Sequence, residues 1–135
     1  MPRKSTKKYI FTVGRRKSSV VTIKLFTGKG ESLVNGQALT KYFHLAKGLK
    51  NVLSPFVTTK TEGKYYFEAK ATGGGKVGQS DALKLAIARA LDKLNEKYHP
   101  ALKAEKLLTV DARVRQRRMI GTGGKSRRQK QSPKR

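Results

Sequence analysis

Residues 71–91 read ATGGGKVGQSDALKLAIARAL, and the succession of patterns in this stretch decides the fold. Just upstream, KYYFEAKAT (64–72) alternates. Tyr65, Phe67, Ala69 and Ala71 fall on one face and Glu68, Lys70 and Thr72 on the other, the period of a half-buried strand. Gly73, Gly74 and Gly75 end it. Beyond them Ser80 or Gln79 can begin a helix. In that helix Leu83, Ile87, Ala90, Leu91 and Leu94 recur at i, i+4, i+7, i+8 and i+11, an apolar stripe suited to a core. The helix is expected to run to about Tyr98 and to stop at His99-Pro100.

The glycine turn has two readings. Free backbone N–H groups, a helix N-terminus and Lys76 can converge on a phosphate, or the glycines simply make a tight strand-to-helix turn. A nucleotide P-loop fails on spacing. Counted back from Gly124-Lys125-Ser126, the motif needs glycine where Met119 stands; counted from Gly75-Lys76, it needs glycine at Lys70 and a hydroxyl at Val77.

On the N-terminal side, YIFTV (9–13) puts Tyr9, Phe11 and Val13 on one expected core face. VVTIKLF (20–26) does the same with Val21, Ile23 and Leu25, and GRRKSS (14–19) joins the two as a cationic hairpin connection. GKGESLVNGQ (28–37) reads as a turn, a short strand through Leu33 and Val34, and an Asn35-Gly36 turn. ALTKYFHLAKGLKNVLSPF (38–56) reads as two short helices broken near Gly48 and stopped before Pro55. On the C-terminal side, ALKAEKLL (101–108) is a further helical stretch and TVDARVRQRR (109–118) a candidate last strand. No repeat is visible. Strands followed by helices around one core of roughly 105 residues give an α+β domain, a single sheet with helices packed on it.

Charge divides the chain differently. The 135 residues hold 32 Lys+Arg against 8 Asp+Glu, a formal charge of +24. Such a charge opposes compaction, and its commonest reason is a polyanionic partner. It is also uneven: residues 1–17 carry seven cations, residues 112–135 carry ten, and neither end has an acid. The order is a basic N-terminal segment (1–8), a globular body (9–112) and an extended basic tail (113–135). The last seventeen residues, MIGTGGKSRRQKQSPKR, have no large apolar residue after Ile120, so alone they cannot offset the entropy of ordering.

Other functions are poorly supplied. No run approaches a membrane span, no amphipathic basic helix suits a membrane surface, and MPRKSTKKY lacks the apolar stretch of a secretory signal. The absence of cysteine excludes disulfides and thiolate metal sites and suits a reducing cytosol. His44 and His99 are the only imidazoles, one expected in a surface turn and one at a helix end. The acids form no close pair for general acid/base work and no oxygen cluster for a hard cation. Tyr9, Phe11, Tyr65 and Phe67 fit the core pattern, so no exposed base-stacking row is expected. Arginine clusters without acids favour phosphate, which arginine binds in a fixed planar fork.

TVGRRKSSVV, GKGESLVNG, KYF, ATGGGKVGQSDALKLAIARAL, LKAEKLLTVDAR, RQRR and the final KR occur in an order that resembles the small ribosomal subunit protein nine family, bacterial type, from about Tyr9 to Arg135. The resemblance implies a mixed β-sheet with helices and a left-handed βαβ connection, like the second domain of small-subunit ribosomal protein five. It implies no enzyme activity and no cofactor. The implied site is the head of the cytoplasmic small subunit, beside neighbouring ribosomal proteins and bound to small-subunit ribosomal RNA. The family's tail leaves the body and reaches transfer RNA in the peptidyl site.

Carried over by position, Arg15, Arg16 and Lys17 become ribosomal RNA contacts beside the sheet. The Gly73–Gly75 turn with Lys76 and Gln79 becomes a second RNA-facing element. Arg113, Arg115, Arg117 and Arg118 begin an extension that continues through Lys125, Arg127, Arg128 and Lys130, and Lys134 with Arg135 become the transfer-RNA contact. One departure stands out: the family tail commonly ends Gln-Phe-Ser-Lys-Arg, whereas this chain ends QSPKR, with Pro133 fixing φ and removing an N–H beside the terminal pair. Two competing readings are a general nucleic-acid chaperone, which needs no specific core, and a small-molecule kinase of the GHMP type. Such kinases share the fold family, but their phosphate loops are richer in Gly and Ser, and 135 residues are too few to add a substrate domain.

Overall fold

The computed structural model describes residues 7–121 and Gly123. The strands are β1 (Tyr9–Arg16), β2 (Ser19–Thr27), β3 (Leu33–Val34), β4 (Gln37–Ala38) and β5 (Tyr65–Thr72). They form one sheet in the order β1-β2-β5-β3-β4. Every neighbouring pair is antiparallel except β3 and β5, which run parallel. A parallel pair needs a crossover, supplied here by β4, α1 (Leu39–Tyr42) and α2 (Ala46–Thr59). The helices α3 (Lys76–Leu94) and α4 (His99–Ala104) follow β5. The class is α+β: a mixed sheet with helices packed on it.

The core lies between the sheet and α3. Val21, Ile23 and Leu25 of β2 and Phe67, Ala69 and Ala71 of β5 are buried, as their alternation requires. They meet Leu83, Ile87, Ala90 and Leu91 of α3, while Val52 and Phe56 of α2 and Leu102 of α4 close the flank. The Phe56 and Phe67 rings stack with centroids 6.4 Å apart. At the Asn35-Gly36 turn both residues have positive φ, 51° and 80°, the geometry of a two-residue hairpin that this dipeptide tolerates.

β1 reverses the expected facing. Tyr9 and Phe11 are 47% and 49% exposed, and Ile10, Thr12 and Gly14 face the helix instead. The cause is the closeness of α3. A Cβ on Gly14 would stand 1.9 Å from the Ala82 carbonyl oxygen, so no side chain fits at that point of the seam. Thr12 Oγ1 donates to the Ala86 carbonyl at 2.8 Å, and the Arg89 guanidinium donates to the Val13 carbonyl at 2.7 Å. Tyr9, Phe11 and Val13 are therefore on the other side of the sheet, while Ile10, nearer the start of the strand, packs against the core.

Four boundaries also differ. α3 begins at Lys76 rather than at Gln79 or Ser80. Gly78, which reads as loop, is the first-turn residue where a Cβ would come within 2.8 Å of Ser19 Oγ. α3 ends at Leu94; Asn95 caps a short 3-10 turn (Glu96–Tyr98) by accepting from the Lys97 N–H, and His99-Pro100 opens α4 rather than ending α3. Pro at a first helical position loses no needed donor. The break between α1 and α2 falls at Phe43–Leu45, not Gly48, and Pro55 lies inside α2. Proline leaves the Asn51 carbonyl without its helical N–H, and the Ser54 hydroxyl donates to that carbonyl at 2.8 Å. Finally, residues 109–118 form no strand. Val110 and Val114 are exposed, and the segment is held through side chains rather than a backbone ladder.

Candidate nucleic-acid interface

β1 and β2 are joined by Lys17 and Ser18, with Lys17 at φ 53°. The hairpin tip does not project freely. Gly73 and Gly74 have φ 72° and 60°, and a Cβ on them would lie 2.4 Å from Ser18 O and 2.2 Å from Ser19 Oγ. Both glycines are required twice over, by conformation and by contact. Ser19 Oγ donates to Gly73 O at 3.2 Å across 54 residues of sequence. The tight-turn reading therefore accounts for Gly73 and Gly74.

Gly75 is different. It has no positive φ, and a Cβ there would meet nothing within 4 Å. It is the N-cap of α3 and makes no side-chain cap bond, and the first helical turn carries no acid. The first N–H groups of a helix have no partner inside it, so this end of α3 is bare and electropositive. Lys76 stands beside it, with Nζ 3.2 Å from the centroid of the Tyr42 ring. Gln79 faces inward: it is buried, its amide nitrogen donates to Gly73 O at 3.0 Å, and its oxygen accepts from the Tyr42 hydroxyl. It shapes the turn from within.

Strand alternation separates the three cations of the hairpin. Arg15 and Lys17 are exposed. Arg16 turns to the helix side, where its guanidinium lies 3.8 Å from Asp81 and 3.5 Å from Asp111 and donates to the Arg113 carbonyl at 3.2 Å. Asp111 accepts from Arg113 Nε at 2.9 Å, from Nη2 at 2.8 Å and from its backbone N–H at 3.1 Å. These bonds, with the charges of Arg113 and Arg16, hold the Asp111 carboxyl well below the usual carboxylate range. The sign follows: a carboxyl lowered in the folded state stabilises at neutral pH and loses that contribution only as acid protonates it. Asp81 and Asp111 were not singled out from sequence; the signal was an acid beside each cationic element.

Three elements distant in sequence thus meet at one end of the molecule: the hairpin tip, the glycine turn with the start of α3, and the first residues of the extension. Arg113, Arg115, Arg117 and Arg118 are exposed along that extension. Lys125, Arg127, Arg128, Lys130, Lys134 and Arg135 lie outside the described residues. Among the described residues no group of three His, Asp or Glu could hold a metal ion, and no helix is long and apolar enough to cross a membrane. His99 Nδ1 contacts Asp92 at 2.8 Å, away from this end. The arrangement offers anion binding by fixed cations and backbone N–H groups.

Arg16 is expected to behave unlike its neighbours. Arg15→Ala with Lys17→Ala should leave stability within about 0.5 kcal/mol. Arg16→Ala should cost up to about 1 kcal/mol, the range of partly exposed ion pairs, and should raise amide exchange at residues 109–114. Equal exchange in all variants would show that Arg16 does not hold the extension.

The comparisons agree on one family. The family model described as ribosomal protein S9/S16 matches residues 14–135. Small ribosomal subunit protein uS9 of Dehalococcoides mccartyi is 41% identical over 113 residues, covering 84% of this chain and 86% of that protein. The uS9 protein of Methylacidiphilum infernorum is 41% identical over 119 residues, 88% of each chain. Small ribosomal subunit protein uS9m of Candida albicans is 43% identical over 110 residues, 82% of this chain and 33% of that longer protein. With most of its length matched, bare helix end and basic extension included, the chain belongs to the ribosomal protein S9/S16 family.

Proposed function

We propose that this protein is a structural, RNA-binding constituent of the small ribosomal subunit and not an enzyme. In this reading residues 9–112 are the body that binds small-subunit ribosomal RNA in the subunit head, among neighbouring ribosomal proteins of the cytoplasmic ribosome. Residues 113–135 are the extension that reaches the peptidyl-site transfer RNA. The parallel β3–β5 pair joined through α1 and α2 is the unit this reading takes as the left-handed connection of the second domain of small-subunit protein five. The observation that carries the proposal is the convergence of Arg15, Lys17, the open N-terminus of α3 with Lys76, and the start of the arginine-rich extension at one end. That end neutralises phosphate without base specificity. Gln79 and Arg16 act by holding it in shape.

In a lysate fractionated on a sucrose gradient the protein should travel with the small subunit. Deleting Lys125–Arg135 should spare incorporation and lower peptidyl-site affinity for transfer RNA. If Lys134 and Arg135 neutralise two phosphates, each contributes a salt slope of about −0.7 to −0.9, so the loss between about 50 and 200 mM salt is roughly tenfold. The truncated protein should lack that part of the salt dependence. Equal affinity and slope for both proteins would make the extension a ribosomal RNA anchor alone.

A further inference from the structure

The sheet face turned away from α3 has a composition that the body's core does not explain. Register places Tyr9, Phe11, Val13 and Arg15 of β1 beside Val20, Thr22, Lys24 and Phe26 of β2, and beside Tyr66, Glu68, Lys70 and Thr72 of β5. Phe26 is buried under its neighbours: Tyr66 stacks on it at 5.1 Å and Tyr9 tilts against it at 5.8 Å. A Cβ on Gly30 would stand 2.8 Å from the Tyr66 ring, so the loop after β2 covers that ring. Phe11 and Tyr9 remain, each about half exposed, two residues apart on one strand and so about 6.6 Å from one another. Cations surround them. Lys24 Nζ lies 5.1 Å from the Tyr9 centroid, and Lys7 Nζ lies 5.7 Å from that of Tyr66. Lys70 and Arg15 complete the rim, and Glu68 is the one acid among these outward positions.

We infer that this face is a second RNA surface, on which Tyr9 and Phe11 stack unpaired bases while Lys24, Lys7 and Lys70 follow the phosphates. Exposed aromatic rings set among cations are the chemistry of single-strand binding, where rings supply sequence-tolerant stacking and cations track the backbone. A protein partner would want an apolar patch with a mixed rim; the charges here are Lys7, Arg15, Lys24 and Lys70 against one acid, Glu68. The face is also continuous with the candidate interface, because Arg15 belongs to both. The inference rests on the RNA-binding reading and adds bases to what was a set of phosphate contacts.

The test compares full-length protein with Phe11→Ala, Phe11→Leu and Lys24→Ala, each on a single-stranded RNA oligonucleotide and on a blunt duplex of the same sequence. Loss of one stacked base should weaken single-strand binding by roughly 5- to 100-fold without changing the salt slope. Leucine should fail as alanine does, and duplex binding should hold. Lys24→Ala should instead flatten the single-strand slope by about 0.7. Phe11 variants that match the unaltered protein on both probes, with folding checked by circular dichroism, overturn the stacking surface while leaving the proposed function intact. Equal losses on single strand and duplex also overturn it, since a duplex offers no free base face. An unaltered protein that binds neither probe overturns both readings.

Discussion

Gly14→Ala should lower the melting temperature of the body by roughly 10–20 °C, a large effect for one added methyl group. Overpacking a core costs typically about 1–3 kcal/mol and sometimes more, and each kcal/mol moves a domain of this size by about 4–8 °C. The upper end applies here because the new Cβ would stand 1.9 Å from Ala82 O and 2.8 Å from Ala86 N. Both are backbone atoms of the central helix, and neither can rotate aside. Moving α3 away from β1 would stretch the Thr12–Ala86 and Arg89–Val13 hydrogen bonds, now 2.8 and 2.7 Å. Gly14 has no positive φ, so the cost comes from space and not from backbone conformation. Gly75→Ala serves as the control, since a Cβ there meets nothing; as a poorer N-cap it should cost no more than about 1 kcal/mol, well short of the Gly14→Ala effect. An unchanged transition for Gly14→Ala would mean that strand and helix part at little cost.

The second large effect is at Ile87, fully buried at the middle of α3. Ile87→Asp should abolish cooperative folding. An unpaired carboxylate in an apolar site costs several kcal/mol even after its pKa rises, against a total stability of about 5–15 kcal/mol. Ile87→Val removes only one methylene and should cost about 0.5–1.5 kcal/mol. Circular dichroism should show a folded valine variant with a slightly lower transition and an aspartate variant without one. A folded aspartate variant with native melting would place that face of α3 in water.

Periodicity was readable wherever burial alone chose the residue. β2, β5 and the stripe of α3 all follow from it, and the Asn35-Gly36 turn follows from the dipeptide's tolerance of positive φ. Periodicity misled at β1, because the inner positions there answer to backbone approach: Gly14 sits where no Cβ fits, Thr12 bonds to the helix, and Tyr9 and Phe11 face outward. Gly78 concealed the start of α3 for the same reason: it serves contact with Ser19 rather than a turn. Pro55 signalled an end that Ser54 repairs with one hydroxyl. Residues 109–118 have strand-like alternation but pair with neither edge strand, β1 or β4, and the Arg16 side chain holds Asp111 and Arg113 instead. At the interface, residue types were legible and directions were not. Arg16 and Gln79 turn inward, whereas Arg15, Lys17 and Lys76 face out, and that division is set by strand parity and by a helix starting one turn early.

The seating of the hairpin tip on the glycine turn bears on how the chain can vary in length. Surface connections ordinarily accept extra residues with little penalty. The Lys17–Ser18 connection is an exception, because Ser18 O and Ser19 Oγ lie where any Cβ on Gly73 or Gly74 would be. An inserted residue would lift the tip from its seat or shift Ser19 off the Gly73 carbonyl, and the start of α3 would move with it. Added residues should therefore disturb this hairpin more than a connection with open surroundings, such as the turn at Gly63, where a Cβ would meet nothing. The length of this hairpin is set by the turn that has taken its mould.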